Sequence, residues 1–542
     1  MKNLNQSFII LLLMLLFSSC FKNTAVTNST NEKRPNVIFF LVDDLGWSDI
    51  GINNSEFYET PNIDKLASEG VRFTDAYAAA HVCSPTRASI LTGKYPASIN
   101  LTDWLPGRRD FPFQELENVE INEHMPYDLI TLPEVLKKNG YKTALIGKWH
   151  LGEEENSALK QGFDFQLPKW NRGWPKEGYD FPYGMEGLEE GDQGEYLTDR
   201  MTDEAIKYIE QNKENPFFLY LSHFAVHDPI EGRKDLVEKY SAKLSARKLS
   251  TRSPFILEAN PDEENSVKRS ELDSLLDEDE YKGHRIFSNE SVKIKQQQDN
   301  VEFAGMVESM DESLGRIQKK LKELELDENT VIIFYSDNGG MSAANFYYPD
   351  RQISTKKLNK AYATSNLPLR GGKGWMYEGG IRVPLIVKWP GKGLQGLVCN
   401  VPVTSPDFFP TILEMIGIQT DNEGKNQTDG KSIVSLLKGE ETLEREAIFW
   451  HFPHYSNHGN QSPGGAVRSG DYKLIEYYEN GTVQLFNLIN DLSEQNDLSL
   501  KEPEKVKELQ GMMNNWRNKV DAKMMVPNPN YDSNALINNY KE

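Results

Sequence analysis

Residues Val37 to Val42 are six consecutive apolar side chains, VIFFLV, and no other feature limits the possible folds of this chain so strongly. A strand with one solvated face alternates apolar and polar residues. A run that is apolar at every position, and only strand-long, reads instead as a strand covered on both faces, the pattern of a parallel sheet. The helices needed to cover it are also legible. Thr60-Pro61 reads as N-cap and first helical residue, Gly70 as the stop, and Val71 to Phe73 as a return to strand. Thr131 and Glu134 form a capping-box pattern, Asn139-Gly140 ends that helix, and Tyr141 to Ile146 is again strand-like. Within Phe303 to Leu324, Val307, Met310, Leu314, Ile317 and Leu321 recur at helical period ahead of the apolar strand Val331 to Tyr335. This alternation predicts an α/β sheet with helices on both faces.

The last hundred residues change character. Tyr472 to Tyr478 and Thr482 to Leu488 flank Asn480-Gly481, a strong hairpin signal, and a helix follows around Pro503 to Val520 with Leu509, Met513 and Trp516 on one face. The chain of 542 residues exceeds one core of ordinary size, so it divides into an α/β domain over 34–440 and a smaller C-terminal subdomain over 441–542, an antiparallel sheet plus helix. Residues 231–300 are highly charged and read as an insertion over the surface.

The first twenty residues read as a targeting segment. Lys2 precedes the apolar stretch Phe8 to Phe17, which is shorter than the roughly 20 residues of a membrane span, and Ser18, Ser19 and Cys20 follow. This resembles a bacterial lipoprotein signal over 1–20, with Cys20 as the lipidated first residue and 21–33 as a tether; a plain secretory signal is the alternative. Either implies export. The lipoprotein reading implies the periplasm or outer membrane, with membrane contact only through the lipid. Cys20, Cys83 and Cys399 are the only cysteines, so no disulfide framework is expected. With 60 Lys and Arg against 81 Asp and Glu, the net charge of -21 argues against nucleic acid as a partner. It does not exclude an anionic substrate, because at a Debye length of about 8 Å the local cleft outweighs the distant surface.

The strand Val37 to Val42 runs into Asp43-Asp44, and the strand Val331 to Tyr335 is followed by Asp337-Asn338. Ligands of such sheets bind outside the carboxyl ends of the strands, so the two pairs can converge. Taken singly, each would be an ordinary cap or turn. Together, three carboxylates and an amide oxygen are hard ligands suited to calcium or magnesium and poorly suited to zinc. Calcium fits better than magnesium, since its larger and more flexible shell leaves room for substrate oxygens.

Cys83 opens the run C-S-P-T-R-A-S-I-L-T-G. Pro85 suits the first turn of a helix, which puts Cys83 at a helix N-terminus where unpaired amides favour an oxyanion, with Arg87 one turn on. Three further runs offer cations and imidazoles: G-K-W-H-L-G with Lys148 and His150, His227 ahead of Pro229, and L-R-G-G-K-G with Lys373 followed by E-G-G-I-R-V-P. In isolation a buried cysteine, a solvated lysine or a satisfied histidine is the ordinary reading of each.

In this order, these runs resemble the type I, formylglycine-dependent sulfatases of the alkaline phosphatase superfamily, over nearly all of Arg34 to Leu498. The resemblance implies a large mixed, mostly parallel sheet sandwiched by helices, with a smaller C-terminal antiparallel sheet plus helix. It implies that a formylglycine-generating (sulfatase-maturating) enzyme oxidises Cys83 to an aldehyde whose hydrate is the nucleophile toward sulfate esters. By the same resemblance Asp43, Asp44, Asp337 and Asn338, completed by position 83, hold the metal. Lys148, His227 and Lys373 hold the sulfate oxygens, and His150 and Arg87 contact the hydrate. His227 is the candidate acid for the leaving alcohol, and His150 the acceptor of the hydrate's second proton. The implied activity is sulfuric ester hydrolysis, with a sulfated polysaccharide or its oligosaccharides as substrate. Trp104, Arg108, Arg109, Trp170 and Trp174 are candidate sugar contacts. Two other readings stay open: a phosphate or phosphonate ester hydrolase of the same superfamily, and a non-catalytic lipoprotein that binds sulfated glycans.

Overall fold

The computed structural model describes residues 34–248, 251–262, 269–276, 291–344, 358–419 and 427–535. The segment 1–20 with Cys20, and the tether 21–33, lie outside the described residues. An eight-stranded sheet organises the rest. Its strands in chain order are β1 (Asn36–Val42), β2 (Val71–Phe73), β3 (Lys142–Gly147), β4 (Phe165–Leu167), β5 (Phe217–Ser222), β6 (Thr330–Ser336), β7 (Leu385–Lys388) and β8 (Leu397–Cys399). Across the sheet they run β8-β2-β7-β6-β1-β5-β3-β4. The half from β6 to β4 is parallel, with Val37 opposite both Val331 and Phe218, whereas β7 runs antiparallel to β6 and β2.

β1 is central, and both of its faces are covered, as its unbroken apolar run requires. Val37, Phe39 and Leu41 point into one core with Ala88, Ile90 and Leu91 of the helix α1 (Cys83–Thr92). Ile38, Phe40 and Val42 point into the other, with Leu197, Met201 and Ala205 of α2 (Leu197–Asn212) and Phe303, Met310 and Leu314 of α3 (Val301–Glu323). All of β1 is at most a few per cent exposed, and each such large apolar side chain contributes roughly 1.5–3 kcal/mol by leaving water. The expected capping box is present: Thr131 Oγ1 accepts from Glu134 N, and Glu134 Oε2 accepts from Thr131 N at 2.8 Å. Among the described residues, no helix is long and apolar enough to cross a membrane.

The C-terminal strands β9 (Ile448–Phe452), β10 (Gly464–Ser469), β11 (Tyr472–Tyr477) and β12 (Val483–Asn487) form an antiparallel meander. One face packs on Tyr77, Trp375, Met376 and Tyr377. The other packs Val467, Leu474 and Leu485 against Leu509 and Met513 of α4 (Pro503–Lys519). A buried charge cluster lies beneath the meander. Lys473 Nζ stands 3.0 Å from Glu378 Oε1 and 2.8 Å from Glu494 Oε1, while Arg382 reaches Glu378 at 3.3 Å. Burial alone would raise Glu378, but Lys473 and the two nearby arginines hold it down to about 2. Glu494 goes the other way, pushed up to about 7 by burial and by Glu378 against the pull of Lys473.

The described parts of the charged stretch 231–300 are tied down by side chains that its composition concealed. Leu236 and Tyr240 of the helix Lys234–Ala246 are buried, as are Leu257, Val292 and Ile294 of the antiparallel pair Phe255–Glu258 and Val292–Lys295. Glu258 forms a two-pronged ion pair with Arg370, at 2.9 and 2.6 Å.

Candidate active site

The carboxyl ends of β1, β3, β5 and β6 meet at one place, and each delivers its polar residues there through a sharp change of direction. Gly147, at φ 107°, ends β3 so closely against β5 that a Cβ would lie 1.8 Å from the Ser222 carbonyl oxygen, so only glycine fits. Lys148 then donates its backbone N–H to that carbonyl at 2.7 Å and lays its ammonium on Asp43 Oδ2 at 2.6 Å. Asp44 and His150 both adopt left-handed backbone, φ 62° and 54°. Such conformations cost about 1–3 kcal/mol each and concentrate at functional sites.

The four proposed metal ligands arrive together and fully buried. Asn338 Nδ2 donates to Asp44 Oδ1 at 2.8 Å, which fixes the amide so that its oxygen is the remaining acceptor. That oxygen and Asp43 Oδ1 are buried with no hydrogen-bond donor. Leaving such groups unpaired costs about 1–3 kcal/mol each, and a cation between them removes that cost. The hard oxygen set fits calcium or magnesium. Asp43, Asp44 and His227 each offer a ligand atom within 4.8 Å of the others. Asp337 is less available. Its Oδ2 accepts from Arg87 Nε at 2.8 Å and is ion-paired with Nη2 at 2.7 Å, and its Oδ1 accepts from Asp44 N at 3.2 Å.

Electrostatics divide the carboxylates. Burial, reinforced by Asp337, pushes Asp43 up to about 7 despite Lys148 and Arg87. Burial acts on Asp44 equally, yet Lys373, whose ammonium lies 2.8 Å from its Oδ2, holds it well below the usual carboxylate range together with His227 and Lys148.

Cys83 is the first residue of α1, with Val82 as its N-cap. Its Sγ lies 3.2 Å from His150 Nδ1, and His150 Nε2 lies 2.8 Å from the Leu105 carbonyl oxygen. A carbonyl only accepts, so Nε2 carries the proton and Nδ1 turns its lone pair to position 83. Burial, then Lys148, keeps the imidazole neutral, its pKa well below the ordinary value. His227 is oriented in the same way. Its Nδ1 donates to the Asp228 carbonyl at 2.8 Å, and its Nε2 lies 3.7 Å from Asp44 Oδ2.

These groups surround a cavity of about 220 Å³ lined by Cys83, His150, His227 and Lys373. Of the five proposed sugar contacts, Trp104 and Trp174 stand in its wall. The other three do not line this cavity. Trp170 donates Nε1 to the Trp174 carbonyl, and the Arg108 and Arg109 guanidinium groups lie over the Phe111 ring. Arg87 engages Asp337, Ser222 Oγ and the Lys148 carbonyl, so it braces the carboxylates behind position 83. Lys148 likewise sits on Asp43. Three polar lining residues escaped the sequence reading: Asp228, Asn457 and His458. Asp228 adjoins a residue that was singled out. Asn457 and His458 come from the turn after β9, and no local signal could have carried them to a site formed by β1 and β6.

Comparison with known proteins agrees with this geometry. Residues 35–418 match the family model for sulfatases, and residues 372–523 match that for the C-terminal region of N-sulphoglucosamine sulphohydrolase. A sulfatase of Formosa agariphila is 30% identical over 564 residues, covering 91% of this chain and 89% of its own length. An ulvan-active sulfatase of the same bacterium is 26% identical, covering 94% of this chain and 84% of its own. Among solved structures, Ps i-CgsB in complex with k-i-k-neocarrahexaose superposes with a TM-score of 0.65 at 26% identity, over 89% of this chain and 93% of that one.

Proposed function

The chain belongs to the sulfatase family and is a sulfuric ester hydrolase, and from that premise we propose that it desulfates sulfated polysaccharides or their oligosaccharides with a formylglycine made from Cys83 and a calcium ion. One observation carries the reading. Cys83 Sγ opens on the cavity opposite the lone-pair nitrogen of His150, in a site where Asp43 Oδ1 and Asn338 Oδ1 are buried without donors. The glycan substrate class is supported by the ulvan-active relative and by the neocarrahexaose complex.

Calcium held by Asp43, Asp44, Asp337 and Asn338 would supply the positive charge that binds a sulfate oxygen and favours ionisation at position 83; magnesium would serve with a smaller, stiffer shell. The other roles belong to the chain. With position 83 converted to the hydrated aldehyde, one ionised hydroxyl would supply the nucleophile toward sulfur, and His227, when protonated on both nitrogens, would give its Nε2 proton to the departing alcohol oxygen. His150 Nδ1, held as an acceptor, is placed to take the proton of the second hydroxyl, whose loss would allow sulfate to leave as the carbonyl re-forms. A serine lacks that second hydroxyl. Lys373 and Lys148 offset the charge of the carboxylates and of the sulfate. The reading requires a sulfatase-maturating enzyme as partner. It also places the enzyme as an exported lipoprotein, anchored through Cys20 in the periplasm or outer membrane.

Peptide mass spectrometry across position 83, on material whose turnover has been measured, tests the proposal: aldehyde content should rise in proportion to activity. An intact thiol in fully active enzyme would overturn it. Sulfate esters should also be cleaved much faster than matched phosphate esters by one preparation; the reverse order would assign the site to the phosphate-directed relatives.

A further inference from the structure

One wall of the cavity belongs to neither the large sheet nor its helices. The turn between β9 and β10, residues 453–463, reaches back and places Asn457 and His458 beside Lys373. His458 is only 8% exposed, and its Nδ1 is buried with no hydrogen-bond partner. The turn is held from several sides. His458 N donates to Ser456 Oγ, which donates to the His458 carbonyl; Asn260 Nδ2 donates to the Asn460 carbonyl; and Met376 N donates to Gln461 Oε1. It also touches the Lys373 loop directly. Gly374 has φ 89°, and a Cβ there would lie 1.8 Å from the His458 carbonyl oxygen. A side chain fixed so firmly in the wall of the cavity, with its Nδ1 buried and unpaired, keeps hydrogen-bonding capacity that a bound ligand can take up.

The chemistry of that partner is constrained. Burial, then Lys373, holds the His458 imidazole well below its ordinary pKa, so the ring is neutral and offers one donor and one acceptor. Asn457, in the same wall, also offers both. Asp228, which also lines the cavity, presents a carboxylate that repels a second sulfate or a uronate and accepts from a hydroxyl. The 220 Å³ volume is below the roughly 300–1,000 Å³ of pockets for drug-sized ligands and suits a sulfate ester on one ring, between Trp104 and Trp174.

Resting on the reading of this site as a sulfate-ester hydrolase, we propose that the cavity seats a single sugar ring whose hydroxyl beside the sulfate ester hydrogen-bonds to His458, making His458 a specificity-determining residue. The test uses the full chain with position 83 converted, as wild type, His458→Ala and His458→Gln. The substrates are 4-nitrophenyl sulfate and a panel of hexoses and N-acetylhexosamines monosulfated at each ring position. The wild type should hydrolyse at least one of the sugars. His458→Ala should lose about 10- to 100-fold more kcat/KM on that sugar than on 4-nitrophenyl sulfate, chiefly through KM, because the aryl ester has no hydroxyl to read. His458→Gln, which keeps a donor and an acceptor, should recover part of the loss.

Equal losses on both substrates would reduce His458 to a structural residue and overturn the inference. Turnover of 4-nitrophenyl sulfate with none of the sugars would do the same. If the variants do not fold, wild type is compared on the preferred sugar and on its analogue lacking the hydroxyl next to the sulfate. A drop of tenfold or more supports the inference, and a change under twofold defeats it. Wild type inactive on every sulfate ester would instead remove the sulfate-ester reading, and this inference with it.

Discussion

Two buried clusters of charge lie in this molecule, one at the ends of β1 and β6 and one under the C-terminal meander, and they look alike by the usual electrostatic signs. In each, burial, with a neighbouring carboxylate adding to it, raises one acid to about 7, Asp43 in the first and Glu494 in the second. Each has a fully buried lysine against a carboxylate, Lys148 at 2.6 Å and Lys473 between two glutamates. Perturbed titration therefore fails to separate the functional cluster from the structural one. Geometry separates them. Left-handed backbone occurs in both, at Asp44 and His150 in the first and at Glu494 in the second, but the first opens on a cavity and keeps Asp43 Oδ1 and Asn338 Oδ1 without donors, whereas Glu494 Oε1 lies 2.8 Å from the Lys473 ammonium. The second, which Tyr77 covers by donating its hydroxyl to Glu378, ties Lys473 of β11 to the short helix Glu378–Ile381 and to Glu494 in the loop after β12.

The sharpest way to break the comparison is at position 83. Cys83→Ala should reduce kcat by at least about 10⁴-fold with the thermal midpoint nearly unchanged, since a nucleophile is lost and little packing with it. Residual activity within tenfold of wild type would move the chemistry elsewhere. The structural cluster should give the opposite result: Lys473→Met leaves Glu378 and Glu494 buried without their cation and should cost about 3–5 kcal/mol in chemical denaturation, with the folded fraction still turning over. Lys373→Ala, at the edge of the cavity, should lower kcat about 10²–10³-fold, equivalent to roughly 2.7–4 kcal/mol of barrier, while the fold survives. Near wild-type kinetics would remove Lys373 from the site.

Chelation sharpens the contrast. A metal at a hundred times its Kd stabilises the folded state by about 2.7 kcal/mol, so EGTA should lower the midpoint of wild type, and calcium should restore both midpoint and turnover. A chelator-insensitive midpoint would argue against a bound cation. The smallest effect is the pH response of the second cluster. Glu494 has its pKa raised from 4.5 to about 7, so its contribution to stability is fully present below pH 4.5 and is lost as pH rises through 7. Glu494→Gln should flatten that part of the stability curve between pH 4.5 and 7; an unchanged slope would assign the titration to other groups.

Much of this was legible because it is local. The apolar run of β1 fixed both its burial and the place where Asp43-Asp44 emerges, and Pro85 fixed Cys83 at the start of α1. The capping box at Thr131 and the hairpin at Asn480-Gly481 lie where their turn chemistry puts them. What was not legible depends on how distant pieces dock. The antiparallel β7 within a mostly parallel sheet follows from the path of the chain after Arg382 rather than from the composition of Leu385–Lys388. Aromatic and basic residues look alike in sequence whether they face a ligand or a neighbour. Hence Trp104 and Trp174 line the cavity, while Trp170, Arg108 and Arg109 stand outside its wall. His458 is the clearest case, because its placement rests on contacts with Asn260, Met376 and Gly374, far apart along the chain.

The close approach of Gly374 to the His458 carbonyl has a consequence for any attempt to shorten the protein. The loop bearing Lys373 and the turn bearing His458 are interlocked at main-chain distance, so deleting the meander would strip one side of the reaction chamber and leave the lysine loop unsupported. A catalytic core trimmed near residue 440 should therefore be no minimal enzyme, and a domain exchange with a relative would have to carry both halves of that lock together.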